Sequence, residues 1–169
     1  MTDFVHIADE RDAAAIRRAG LTLPKARLKK TESDWYKYGI FAMPVVPNFV
    51  ITHQWVRELK RSGFKTAIGI YFRIPDDQPV WHGLFGRLKT LATAAEAAAI
   101  LARDETLGFE TIIPRSIGAN EIRAVRPLPQ TLGWRYYPDA QKRGLFCRCR
   151  FCNRGKIRSR RLWEGYETD

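Results

Sequence analysis

The stretch Lys65-Thr66-Ala67-Ile68-Gly69-Ile70-Tyr71-Phe72-Arg73-Ile74 lies between Gly63 and Pro75, with apolar residues at positions 67, 68, 70, 71, 72 and 74. Such a short, β-branched and aromatic run between turn residues is the most strand-like in the chain, and it is expected to be central. Upstream, Asn48 is placed to cap a helix whose Ile51, Trp55 and Leu59 recur at helical spacing. Before it, Tyr38 to Met43 reads as a strand stopped by Pro44, and Leu21 to Trp35 as a basic surface loop. The chain begins with a short strand, Phe4 to Ile7, and a helix from Asp9 to about Ala19 that Gly20 ends. Downstream follow an extended segment, Pro79 to Phe85, an Ala-rich helix, Thr93 to Arg103, and strands at Phe109 to Pro114 and Glu121 to Val125, with Arg135 to Tyr137 as a candidate last strand. Strands outnumber helices, so the expected fold class is α+β.

The 169 residues, 45% hydrophobic and 28% charged, suffice for one ordinary globular domain with a small appendage. No apolar run approaches the roughly 18 residues that span a bilayer, and Met1 to Gly20 lacks the apolar core of a signal peptide. A soluble, cytoplasmic protein with no membrane partner is expected. The three cysteines crowd into Cys147 to Cys152, which fits a reducing compartment better than a disulfide framework.

Of the formal charge of +11, nine Lys/Arg fall between Ala140 and Trp163 with no Asp/Glu among them. Residues 140–169 therefore read as a basic module beside a nearly neutral body, 1–139. Arg148, Arg150, Arg154, Lys156, Arg158, Arg160 and Arg161 form the electrostatic footprint of a polyanion, and Phe146, Phe151 and Trp163 offer faces for base stacking. Nucleic acid is the expected partner; the rival reading is a solubilising tail.

The chain has no G-x-G-x-x-G or P-loop glycine pattern, no G-x-S-x-G and no H-E-x-x-H. Three weaker pieces remain. His6 is the one polar residue inside the first apolar strand, Tyr38-Gly39-Ile40-Phe41-Ala42 sets a glycine among aromatics at a strand edge, and Glu110-Thr111-Ile112-Ile113-Pro114 puts a carboxylate at the head of an apolar strand. Taken singly, they read as a core histidine, a buried strand and a solvent-facing edge residue.

In this order and spacing, over about residues 3 to 126, the three pieces resemble the ADP-ribosyltransferase superfamily, which holds poly(ADP-ribose) polymerases, mono-ADP-ribosylating toxins and DarT-like enzymes that modify DNA. The resemblance implies a split β-sheet core and NAD as substrate. It further implies that Glu110 is the catalytic carboxylate and that His6 binds the adenosine-side ribose. Gly39 and Phe41, with Tyr38, would then build the nicotinamide pocket, Tyr38 and Phe41 being the candidates to stack on the ring. The family's G-[IV]-[YF]-F-[AS] strand is one aromatic longer than Gly39-Ile40-Phe41-Ala42, and Glu110 has no Glu two positions before it, which disfavours a protein-arginine acceptor. The function so implied is mono-ADP-ribosyl transfer to DNA or RNA, as in bacterial toxins and defence factors, with an antitoxin protein as a further implied partner. Rival readings are a non-catalytic nucleic-acid-binding protein and an RNA 2′-phosphotransferase-like enzyme, which would need several basic residues in its pocket.

Cys147-x-Cys149-x-x-Cys152 contains the C-x-x-C spacing of a zinc knuckle, and the adjacent arginines favour thiolates. Zinc wants four ligands, and His82 or His53 would have to supply the fourth. Free thiols and redox chemistry are the other readings of the cluster.

Overall fold

The computed structural model describes residues 1–23 and 39–134. These form an α+β fold with seven antiparallel strands and few helices: β1 (Thr2–Asp9), α1 (Ala13–Ala19), β2 (Ile40–Pro44), α2 (Phe49–Thr52), α3 (Val56–Arg61), β3 (Ala67–Ile74), β4 (Pro79–Leu84), β5 (Thr90–Thr93), α4 (Ala94–Asp104), β6 (Phe109–Ile113) and β7 (Ile122–Pro127). The sheet order is β5-β4-β6-β2-β1-β3-β7. The Ala67–Ile74 strand is thus internal, between β1 and β7, but β2 holds the middle. A β1–β3 ladder running from Thr2↔Ile74 to Asp9↔Ala67 makes β1 longer than its apolar centre implied.

Alternation along β1 feeds separate packing clusters. Phe4 and Ala8 join Ile70, Phe72, Val80, Ala97 and Ile113. Val5 packs with Met43, Ile51, Leu101 and Phe109, and Ile7 with Val56, Ala67 and Leu128. Helix α4 starts with a capping box, in which Thr93 and Glu96 each satisfy the other's backbone N–H.

Three expectations need correction. The helix expected from Asn48 onward is two short ones, and at the break between them the Gln54 carbonyl accepts from the backbone N–H of Trp134, far along the chain. Gln54 is fully buried, and its amide donates to Ile51 O and Thr106 O while its side-chain oxygen accepts from Gly108 N. The expected surface loop begins inside the core: Leu21 is buried and exchanges backbone hydrogen bonds with Ile117. Strand β5 went unforeseen, since Thr90-Leu91-Ala92-Thr93 is short and lies on the sheet edge. Tyr38, the expected strand at Arg135 to Tyr137 and the whole basic module fall outside the described residues. Among the described residues no helix is long and apolar enough to cross a membrane.

Candidate active site

Strands β1 and β2 pair only at Phe4↔Pro44 and Val5↔Met43. Beyond those pairs β1 continues along β3, while β2 continues along β6 through Ala42↔Thr111, Phe41↔Ile112 and Ile40↔Ile113. The two ladders part at His6, which opens the sheet at that point. His6 spans the gap with its side chain, donating Nδ1–H to the Phe41 carbonyl at 2.6 Å. That bond assigns the proton to Nδ1 and leaves the Nε2 lone pair as an acceptor in the neutral ring. Burial pushes His6 below the usual 6.5, and the bond to Phe41 opposes this only in part.

A cavity of about 500 Å³ sits over this opening. Its wall includes His6 and Ile7 from β1, Phe41 to Met43 from β2, and Glu110 and Thr111 from β6. Trp55, Glu58, Leu59 and Ser62 on and beside α3, with Phe64 and Phe85, complete it. The volume and the mainly apolar wall with a few convergent polar groups are those of a small-molecule site. Trp55 is fixed by its indole N–H to Phe109 O at 2.7 Å and by ring contacts with Phe85 and Trp134, at 5.5 and 5.0 Å between centroids. Phe41 is 45% exposed, so its ring face is accessible.

Three of the residues singled out in the sequence, His6, Phe41 and Glu110, therefore meet at one cavity although 104 positions separate the first from the last. Gly39 is not in its wall. A Cβ there would stand 2.9 Å from Ile113 O and closer still to the Ile112 side chain, so close packing of β2 on β6 explains this glycine. Thr111 was quoted only as part of a motif, yet it is 1% exposed, lines the cavity, and its hydroxyl oxygen has no protein partner. Two charged partners also escaped the sequence reading. Glu58 lines the cavity and pairs with Arg61 at 3.0 Å, and Lys89 pairs with Glu110 at 2.9 Å. The Glu58–Arg61 pair has the i,i+3 spacing of one helix and was legible locally, although its place in the cavity wall was not. The Lys89–Glu110 pair depends on a chain crossing that only the tertiary fold creates.

Cys147, Cys149 and Cys152 lie outside the described residues, as do the seven basic candidates from Arg148 to Arg161. Among the described residues no group of three or more His, Cys, Asp or Glu could hold a metal. Both nitrogens of His53 are in use, Nδ1–H donating to Phe49 O at 2.8 Å and Nε2 accepting from the Tyr71 hydroxyl at 2.7 Å, so it is a poor fourth zinc ligand. His82 stacks on Phe109 at 5.7 Å, and its Nδ1 is buried without a protein partner.

Compared with known proteins, the chain matches no family model, no curated protein and no solved structure.

Proposed function

We propose that this chain is an NAD-dependent mono-ADP-ribosyltransferase that acts on nucleic acid. The observation that carries the reading is the convergence of His6, Phe41 and Glu110, from three adjacent strands, on one cavity at the point where the sheet opens. The residues present suit the dinucleotide. The buried Thr111 hydroxyl lacks a partner that a ligand could supply, His6 Nε2 is a ready acceptor for a ribose hydroxyl, and the rings of Phe41, Trp55 and Phe85 offer flat apolar faces.

When bound, NAD supplies the bond between nicotinamide and ribose C1′, whose breaking places positive charge on the sugar. The carboxylate of Glu110 stabilises that charge in a site where apolar walls keep the dielectric low. The same group takes a proton from the acceptor nucleophile, a contribution of about 10²- to 10⁴-fold. His6 holds a ribose hydroxyl and fixes the sugar's orientation, and Phe41 supports the departing ring. The basic module brings the nucleic acid to this face.

Glu110→Gln should retain NAD binding while slowing cleavage by about 10²-fold or more, because the lost charge matters mainly in the transition state. Labelled NAD incubated with separate DNA, RNA and protein pools reads both chemistry and acceptor. A folded wild type that cleaves no NAD ends this reading and leaves the non-catalytic nucleic-acid-binding alternative. Among the described residues the cavity wall holds no lysine or arginine, which weighs against a phosphotransferase that grips a 2′-phosphate with basic side chains.

A further inference from the structure

Gly83 of β4 stands between Glu110 of β6 and Lys89, the residue just before β5. Gly83 is the cross-strand partner of Glu110, and the β4–β5 ladder ends at His82↔Thr90, one residue short of Gly83 on one strand and of Lys89 on the other. The ion pair shows that the Lys89 and Glu110 side chains meet on one side of the sheet, with Gly83 between them. Two strand spacings put their backbones about 10 Å apart, which a lysine and a glutamate can close only if nothing stands in the way. Nothing does, because the intervening residue is glycine. A Cβ on Gly83 would come within 3.1 Å of Lys89 Cδ and 3.0 Å of Leu88 O. The lysine stem passes over this gap, and Nζ reaches Glu110 Oε2 at 2.9 Å.

The ammonium is itself held in place. Nζ donates to Leu84 O at 2.6 Å and to Arg87 O at 3.1 Å, so the carboxylate is its third partner and its donors are fully used. The Lys89 side chain is 5% exposed and that of Glu110 13%. A pair this sheltered, with one member fastened to a tight turn, differs from the exposed ion pairs of the surface, such as Arg103 with Asp104.

We propose that Lys89 is the positioning residue of Glu110, using Gly83 as its passage, and that it presents the carboxylate to the sugar in one fixed orientation. This rests on the transferase reading above. Tethering Oε2 restricts the side-chain torsions of Glu110 and leaves Oε1 for the reacting ribose and acceptor, so the cost of orienting the carboxylate is met before substrate arrives. A cation next to one oxygen also weakens the field the carboxylate exerts on C1′. The two effects oppose each other, and the proposal requires that orientation win.

The test compares wild type, Lys89→Met and Lys89→Arg for kcat and KM in NAD cleavage, with NAD binding followed by calorimetry. Lys89→Met should lower kcat by about tenfold or more at nearly unchanged KM and Kd, the pattern of an interaction realised in the transition state, and Lys89→Arg should recover part of the loss. A kcat that stays the same or rises in folded Lys89→Met overturns the proposal, a rise meaning that the ammonium acts as a brake. Wild type inactive on NAD is a different failure, which removes the transferase reading itself. Should Lys89→Met not fold, carbodiimide treatment of the wild type decides the pairing. The activated Glu110 carboxyl is attacked by Lys89 Nζ, urea leaves, and a Lys89–Glu110 amide appears in the peptide map; its absence overturns the proposal.

Discussion

The chemistry proposed for His6 depends on which nitrogen holds the proton, and the Phe41 carbonyl decides that. With Nδ1–H donated to the backbone, Nε2 accepts only while the ring is neutral, and burial favours the neutral ring by lowering the pKa. His53 and His82 are shifted the same way, burial again being the largest cause. All three rings take up protons less readily folded than unfolded, so below the ordinary value of 6.5 the unfolded chain binds more protons. Stability should therefore be retained above that pH and decline as the pH falls from about 6.5 toward 5. Thermal melts at stepped pH check this, and a flat melting temperature over the interval would contradict the burial of these rings. Thr111 makes a second case. Its orphan hydroxyl costs roughly 1–3 kcal/mol in the unliganded protein, so Thr111→Val, close in shape, should stabilise the empty chain by about 1 kcal/mol, or about 2–4 °C in melting temperature. The same change should weaken NAD binding severalfold. A variant both less stable and equally tight would show that the hydroxyl serves packing alone.

At the scale of elements, the site exists because β1 and β2 part company, and this was the hardest feature to read in advance. Alternation, turn residues and Pro44 marked both strands, but nothing in either strand announces that their ladder stops after Val5↔Met43. Where the sequence carried a local physical signal the reading held: the apolar run of β3, the Ala-rich helix α4, and the Gly20 stop with its φ of 79°. It failed where the deciding partner is distant in sequence, as with the helix break at Gln54, whose carbonyl accepts from the Trp134 backbone N–H, or Leu21 drawn into the core by Ile117. The candidate site divides along the same line. His6 and Glu110 were visible as polar residues in apolar strands and Phe41 only through the family resemblance, whereas the places of Lys89 and Glu58 at the site become meaningful only through the fold. Gly39 shows how a motif residue can have a packing cause. Gly39→Ala should cost about 1–3 kcal/mol through overpacking against β6, seen as a lower denaturant midpoint. NAD affinity of the folded fraction should be unchanged, since Gly39 is not in the cavity wall; a specific loss of binding at full stability would return it to the site.

At the scale of the whole molecule, the proposed function divides chemistry and recruitment between two regions of the chain. The cavity wall carries two carboxylates, Glu58 and Glu110, and no lysine or arginine among the described residues, a poor surface on its own for a polyanion. Nine of the chain's 29 basic residues lie in the short run from Ala140 to Trp163, without a local acid to neutralise them. The two wall carboxylates each have a cation beside them, Arg61 for Glu58 and Lys89 for Glu110, so the wall offers a polyanion no net attraction; affinity has to come from elsewhere in the chain, and counterion release at the basic run is the available source. Neutralising Arg158, Arg160 and Arg161 together should weaken nucleic-acid binding and flatten its salt dependence. Three lost phosphate contacts would reduce the slope of log K against log salt by about 2 for single strands and nearer 3 for a duplex. Cleavage of NAD without nucleic acid should stay at the wild-type rate, because the proposed mechanism gives these arginines no part in breaking the glycosidic bond. Transfer to nucleic acid should fall at moderate salt and recover at low salt, where the remaining basic residues suffice. If the triple variant keeps both its affinity and its salt slope, the basic run is a solubilising tail, and a nucleic-acid acceptor loses the feature that argues for it.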